Sequence, residues 1–194
     1  MPVSASTVNH KKKKRTRDEE NNLKKLTLPV IIIFVIVFLD QITKILAVNN
    51  LEYGNPVEVI GSFFMLTLIY NEGGAMGTNI GSSNYYLIAS VIILGVILYY
   101  LYTQREHKTL AMPLSFISGG AIGNLIDRIA YGKVVDFLDF DFFNINIFGY
   151  RLERWWTFNV ADMAISLSIL YLFITILFAK QTINVEEKNI SNKF

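Results

Sequence analysis

Four apolar blocks constrain this chain more than any other feature. They lie at about 28–48, 85–102, 110–130 and 158–179. Each approaches or reaches the roughly 20 residues a helix needs to cross a bilayer. Lipid leaves a spanning backbone only two solutions, the helix and the closed barrel, and the alternation over repeated short strands that a barrel requires is missing here. With 52% hydrophobic residues and a mean hydropathy of +0.37, a soluble domain of this length would be unusually apolar. The expected class is therefore an all-α integral membrane protein with four transmembrane helices. One membrane domain covers 28–180, between a polar arm at 1–27 and a tail at 181–194.

Charge orients the helices. Thirteen Lys and Arg fall on one side: the arm, the link between spans 2 and 3 (Arg105, Lys108), and the tail. Three fall on the other, Lys133, Arg151 and Arg154. The bias predicts cytoplasmic termini, with the connections 49–84 and 131–157 facing outward. The arm, with its run KKKKRTRDEENNLKK, reads as disordered. It sets orientation and touches anionic lipid rather than nucleic acid, and it lacks the cleavage site of a secretory signal peptide. Segment 49–84 contains the β-like run SFFMLTLIYN and reads as a small extracytoplasmic β-cradle. Segment 131–157 reads as an outer loop whose aromatics, Trp155 and Trp156 included, suit the membrane interface.

Ionisable residues inside spans are costly and mark functional candidates. Asp40 and Lys44 lie four apart in span 1, on one helix face. Asn124, Asp127 and Arg128 sit near the outer end of span 3, and Asp136 follows just past it. Asn159 and Asp162 open span 4, three apart. The topology gathers all of them at the outer edge of the bilayer. Gly119 and Gly123 form a small-xxx-small pair that lets span 3 approach a neighbour closely. Asp40–Lys44 reads as structural, Asp127–Arg128 with Asn124 as a polar clasp, and Asp139, Asp141 and Glu153 as solvated loop residues. Asp162, a turn inside its span, and Asp136, flanked by apolar residues in VVDF, form a candidate chemical centre.

The chain has no cysteine, which excludes thiolate chemistry and disulfides. His10 and His107 both fall on the cytoplasmic side, away from the cluster, so a Ser–His triad or a His-ligated metal there is excluded. Two carboxylates remain. A close pair shares one proton, so one member can activate water while the other donates to a scissile carbonyl. No cofactor and no metal is called for. On the residues alone three readings stand: an aspartyl protease, a small ion or proton transporter, and a structural membrane subunit.

The sequence resembles the lipoprotein signal peptidases (type II signal peptidases). The resemblance rests on DQITK at 40–44, NEGGAMG at 71–77, GGAIGNLIDRI at 119–129, VVDF at 134–137 and FNVAD at 158–162, in the family's order. It implies a membrane aspartyl endopeptidase with Asp136 and Asp162 as the catalytic pair. Asn71, Asn124, Asp127, Arg128 and Asn159 would then shape the site or hold substrate, and Asp40 and Lys44 would stabilise it. The implied substrate is a prolipoprotein cut just before a diacylglyceryl-cysteine, with its lipid tails left in the bilayer. The implied inhibitors are cyclic peptides such as globomycin, and the implied location is the bacterial cytoplasmic (inner) membrane, multi-pass, with the active site at the outer face. Three departures stand out. The basic arm at 1–27 is longer than the family core requires, Asp136 and Asp162 are 26 residues apart, a longer interval than the family commonly shows, and Met76, followed by Gly77, stands after the alanine where an aromatic is common. The glycine-rich stretch EGGAMG is expected to let the outer loops close over substrate.

Overall fold

The computed structural model describes residues 5–73, 83–141, 145–147, 150–152 and 156–191, and the side chains within 24–73, 84–141 and 156–178. Four helices carry the fold: α1 (Ala5–Asn50), α2 (Ser83–Gln104), α3 (Lys108–Tyr131) and α4 (Val160–Ser191). Each contains a stretch long and apolar enough to cross a membrane: Lys24–Asn50, Asn84–Gln104, Lys108–Tyr131 and Val160–Phe178. Half of the α3 stretch is buried in protein, against 22% or less of the other three. α3 is thus the central helix, packed on α1, α2 and α4, and it can carry more polar residues than its lipid-facing neighbours.

The arm differs from expectation. It is helical from Ala5 and continues without a break into the first span. The reason is local: residues 5–28 hold neither Gly nor Pro, and Lys, Arg, Glu and Leu are good helix formers. The tail likewise continues α4 to Ser191.

Close approach of the helices depends on glycine. A Cβ on Gly120 would sit 2.5 Å from the Ala161 carbonyl oxygen, and one on Gly123 would overlap the Asp40 carboxylate. Gly119 meets Ile36 in the same way. The expected small-residue pair therefore lies against α1, and Gly120 seats the start of α4.

At the ends of the helices that carry the aspartates lies a three-stranded antiparallel sheet, β1 (Val57–Ile60), β2 (Phe64–Asn71) and β3 (Val134–Phe140), in that order. A separate hairpin pairs β4 (Ile145–Ile147) with β5 (Tyr150–Leu152). The run read as β-like forms β2, and β1 precedes it in the same segment, which gives the expected small sheet. The third strand comes from 131–157, which was expected to be a loop. Gly132 adopts a left-handed conformation (φ 71°) and its N–H bonds back to the Arg128 carbonyl at 3.0 Å. That ends α3 and turns the chain directly into β3.

β3 is held on both edges. β2 pairs with one, in a register that sets Ile69 opposite Asp136 and Asn71 opposite Val134. The other takes Phe158: Leu138 N–H donates to the Phe158 carbonyl at 2.8 Å, and Phe158 N–H donates to the Leu138 carbonyl at 3.0 Å. Stacked rings reinforce this join, with Phe140 lying 4.4 Å from Phe64 and 5.7 Å from Phe158. Asp139, expected as a solvated loop residue, is instead buried and accepts the Thr67 hydroxyl at 2.7 Å. Strand pairing turns it inward beside β2. Glu153, Trp155 and residues 74–82, which include Met76 and most of the glycine-rich loop, lie outside the described residues.

Candidate active site

The two edges of β3 bring together residues distant in sequence. Asp136 stands in the middle of the strand. Asn71, at the end of β2, donates to its Oδ2 at 3.2 Å. Asn159, one residue past Phe158, donates to its Oδ1 at 2.8 Å. Asn159 also caps α4: its side-chain oxygen accepts the Asp162 N–H at 2.9 Å, while Asp162 Oδ2 accepts the Asn159 N–H at 3.3 Å. This reciprocal pattern is a capping box, and it fixes Asp162 at the positive end of the helix dipole.

A second amide joins the two acids. Asn124 of α3 donates to Asp162 Oδ1 at 2.8 Å and accepts from Asn159 at 3.0 Å. The order Asp136–Asn159–Asn124–Asp162 thus runs through two asparagines. Each has its rotamer fixed from both sides.

Behind them lies an ion cluster. Lys44 contacts Asp40 and Asp127 at 2.9 Å each, and donates to Asn124 at 2.9 Å. Asp40 is fully buried and Lys44 is 3% exposed. The acids also hold backbone: Asp40 accepts the Ala161 N–H at 3.0 Å and Asp127 the Val135 N–H at 3.0 Å. Asp40 therefore anchors the start of α4, and Asp127 the start of β3. Gln41 completes the cluster by donating toward Asp40, Asp127 and the Gly123 carbonyl, each at 3.1 Å. It was not singled out from the sequence, although a polar residue beside Asp40 within a span was a usable signal.

Arg128 lies near Asp127, Asp136 and Asp162 electrostatically and donates to the Gly73 carbonyl at 3.2 Å. All nine residues expected at the site are therefore brought together in one network. Asp136 is 3% exposed. Burial, and then the negative charge of Asp162, push its carboxyl up from 3.8 to about 7, against the lowering effect of the Asn71 and Asn159 amides and of Lys44. Around neutral pH the pair can thus hold one proton between two carboxyl groups. A cavity of about 430 Å³ opens on Asp136 and is walled by Tyr53, Tyr70, Asn71, Trp156 and Thr157. That is room for a short stretch of peptide. Of these walls, Tyr53, Trp156 and Thr157 had no signal in the sequence beyond their aromatic or polar character.

Known proteins resemble this chain in sequence and in fold. Residues 32–178 match the family described as signal peptidase (SPase) II. The lipoprotein signal peptidase of Pelodictyon phaeoclathratiforme is 38% identical over 145 residues, covering 74% of this chain and 86% of that protein. The Staphylococcus aureus lipoprotein signal peptidase is 34% identical over 162 residues, covering 83% and 93%. Two solved bacterial membrane enzymes, both determined by the in meso method, superpose with TM-scores of 0.67 and 0.63 at 30% and 31% identity. They cover 80% and 77% of this chain, and 90% and 92% of their own. The match spans all four membrane helices and both aspartates, and on that evidence the chain belongs to the signal peptidase II family.

Proposed function

We propose that this protein removes signal peptides from prolipoproteins by aspartyl hydrolysis, cleaving before a diacylglyceryl-cysteine, with Asp136 and Asp162 as the catalytic pair. The observation that carries the reading is the acid pair itself, Asp136 buried and Asp162 half-buried, joined through Asn159 and Asn124, with Asp136 poised to hold a proton near pH 7. In the proposed step the Asp162 carboxylate takes a proton from water as its oxygen attacks the scissile carbonyl carbon. Asp136 gives its proton to the carbonyl oxygen. The tetrahedral diol then collapses: Asp162 passes the proton it took to the leaving nitrogen of the lipidated cysteine, the C–N bond breaks, and a diol hydroxyl returns its proton to Asp136 as the new carboxyl group forms. Asn71 lines the cavity on Asp136 and Arg128 bonds the Gly73 carbonyl at its wall, and both hold the substrate backbone. Lys44 with Asp40 and Asp127 keeps the framework rigid.

The charge bias supports an orientation with both termini in the cytoplasm and the aspartates at the outer face of a bacterial inner membrane. The lipid tails of the substrate remain in the bilayer, and cyclic peptides such as globomycin compete for the same site. The test is cleavage of a diacylglyceryl-modified precursor by purified wild type, Asp136→Asn, Asp162→Asn and Asp127→Asn. Wild type should cut before the lipidated cysteine, and the first two variants should lose about 10³-fold or more while still folded. Asp127→Asn should be impaired and not dead. A fully active Asp136→Asn would end the assignment of the pair.

A further inference from the structure

The end of the bundle opposite the aspartates holds a cavity that this chemistry does not use. It measures about 510 Å³ and lies where α1 passes the turn between α2 and α3. Lys24, Lys25, Arg105 and Lys108 line it, with Glu106 as its one acid. Glu106 pairs with Lys25 at 2.7 Å, which holds its carboxyl below the usual range. Four cations against one carboxylate leave the rim with a net charge of three positives.

Below the rim the walls become apolar, at Pro29, Ile32 and Met112. Met112 is shared with a second, almost wholly apolar cavity of about 520 Å³, lined further by Ile36, Phe116, Ala164, Leu167 and Tyr171. Leu28, Ile32 and Ile36 follow at i, i+4 and i+8 on α1, and Lys108, Met112 and Phe116 do so on α3. Residues at that spacing share a face, so the two cavities are successive lengths of one furrow. From the level of Lys108 to that of Gly120 and Val160 it runs about 12 residues, or roughly 18 Å. That is more than half of a hydrocarbon core of about 30 Å. On α4 the furrow takes Val160, Ala164 and Leu167, whereas Asp162 points about 200° around the helix from Val160. The furrow is therefore on the opposite face of α4 from the aspartate pair.

We propose that this furrow binds one anionic glycerophospholipid, with its phosphate among Lys24, Arg105 and Lys108 and an acyl chain along Met112, Phe116 and Leu167. The rim is at head-group level, its charge matches a phosphate diester, and the apolar length below it matches one chain of a single leaflet. A free phosphate would leave the lower furrow empty. An apolar partner helix would leave the cationic rim unanswered.

The test is native mass spectrometry of the full-length protein in mild detergent, titrated with phosphatidylglycerol or with phosphatidylcholine of the same acyl chains. One phosphatidylglycerol should be retained per chain, with about tenfold preference. The double variant Lys24→Gln/Lys108→Gln should lose that preference, and Lys24→Arg/Lys108→Arg should keep it. Met112→Trp, which fills the junction of the two cavities, should reduce retention of both lipids. Equal retention of the two lipids by wild type would overturn the proposal, as would an undiminished preference in the Gln variant. Displacement of the lipid by glycerol phosphate, together with an indifferent Met112→Trp, would overturn it in favour of a small-phosphate site. A second copy of the chain retained in place of lipid would overturn it too.

Discussion

At the scale of single residues, two carboxyl groups are made unlike by their surroundings. Asp136 is deprived of water and faces the charge of Asp162, and its carboxyl titrates at about 7. Below the ordinary value of 3.8, folded and unfolded states both hold the proton and its effect on stability is flat. Between there and about 7 only the folded state holds it, so stability falls as pH rises through that window. Asp136→Asn should therefore unfold at a higher temperature than wild type at pH 8 while being inactive, with the difference shrinking toward pH 4. A thermal melt across pH in detergent reads this directly. Peptide cleavage should decline as pH rises past about 7, because the donor proton is lost. Lys44 is the opposite case, a buried cation between two buried acids. Lys44→Met leaves both acids uncompensated and should cost about 3–5 kcal/mol, visible as a large fall in melting temperature. The acids and amides of the site were legible in the sequence because polar residues within spans have few other reasons to be there. Their partners were not: that Asn159 bridges to Asn124, or that Gln41 reaches Asp127, depends on rotamers and helix rotation.

At the scale of elements, α3 is the helix on which the others are hung, and its glycines set the separations. Gly123→Ala would push a methyl group into the Asp40 carboxylate. Relief would have to come from a shift of α1, at a cost of about 1–3 kcal/mol. Asp40 would then lose its grip on the Ala161 N–H, so activity should fall along with melting temperature. Assaying cleavage well below the melting temperature separates the two effects. Spans were easy to read because length and hydropathy determine them locally. β3 was hidden for the converse reason. VVDFLDF is short and carries two acids, and it becomes a strand only because β2 and Phe158 supply partners 63 or more and 20 or more residues away. The helical arm was missed by weighing charge over propensity.

At the scale of the whole molecule, charge is polarised, with the cationic rim at one end and the aspartate pair at the other. Because the sequence contains no cysteine, single introduced thiols report topology without background. Glu58→Cys on β1 should react with an impermeant reagent in intact cells, and a cysteine placed at position 193 should react only after permeabilisation. The reverse pattern would invert the proposed orientation. The backbone bonds between Leu138 and Phe158 have a consequence at this scale as well. They close the base of everything between those residues, so the spacing of Asp136 and Asp162 is set at the neck of the excursion and not by its contour length. An epitope inserted between β4 and β5 should therefore leave the separation of the two acids as it is, while Trp156 and Thr157, nearer the neck, stay in the cavity wall.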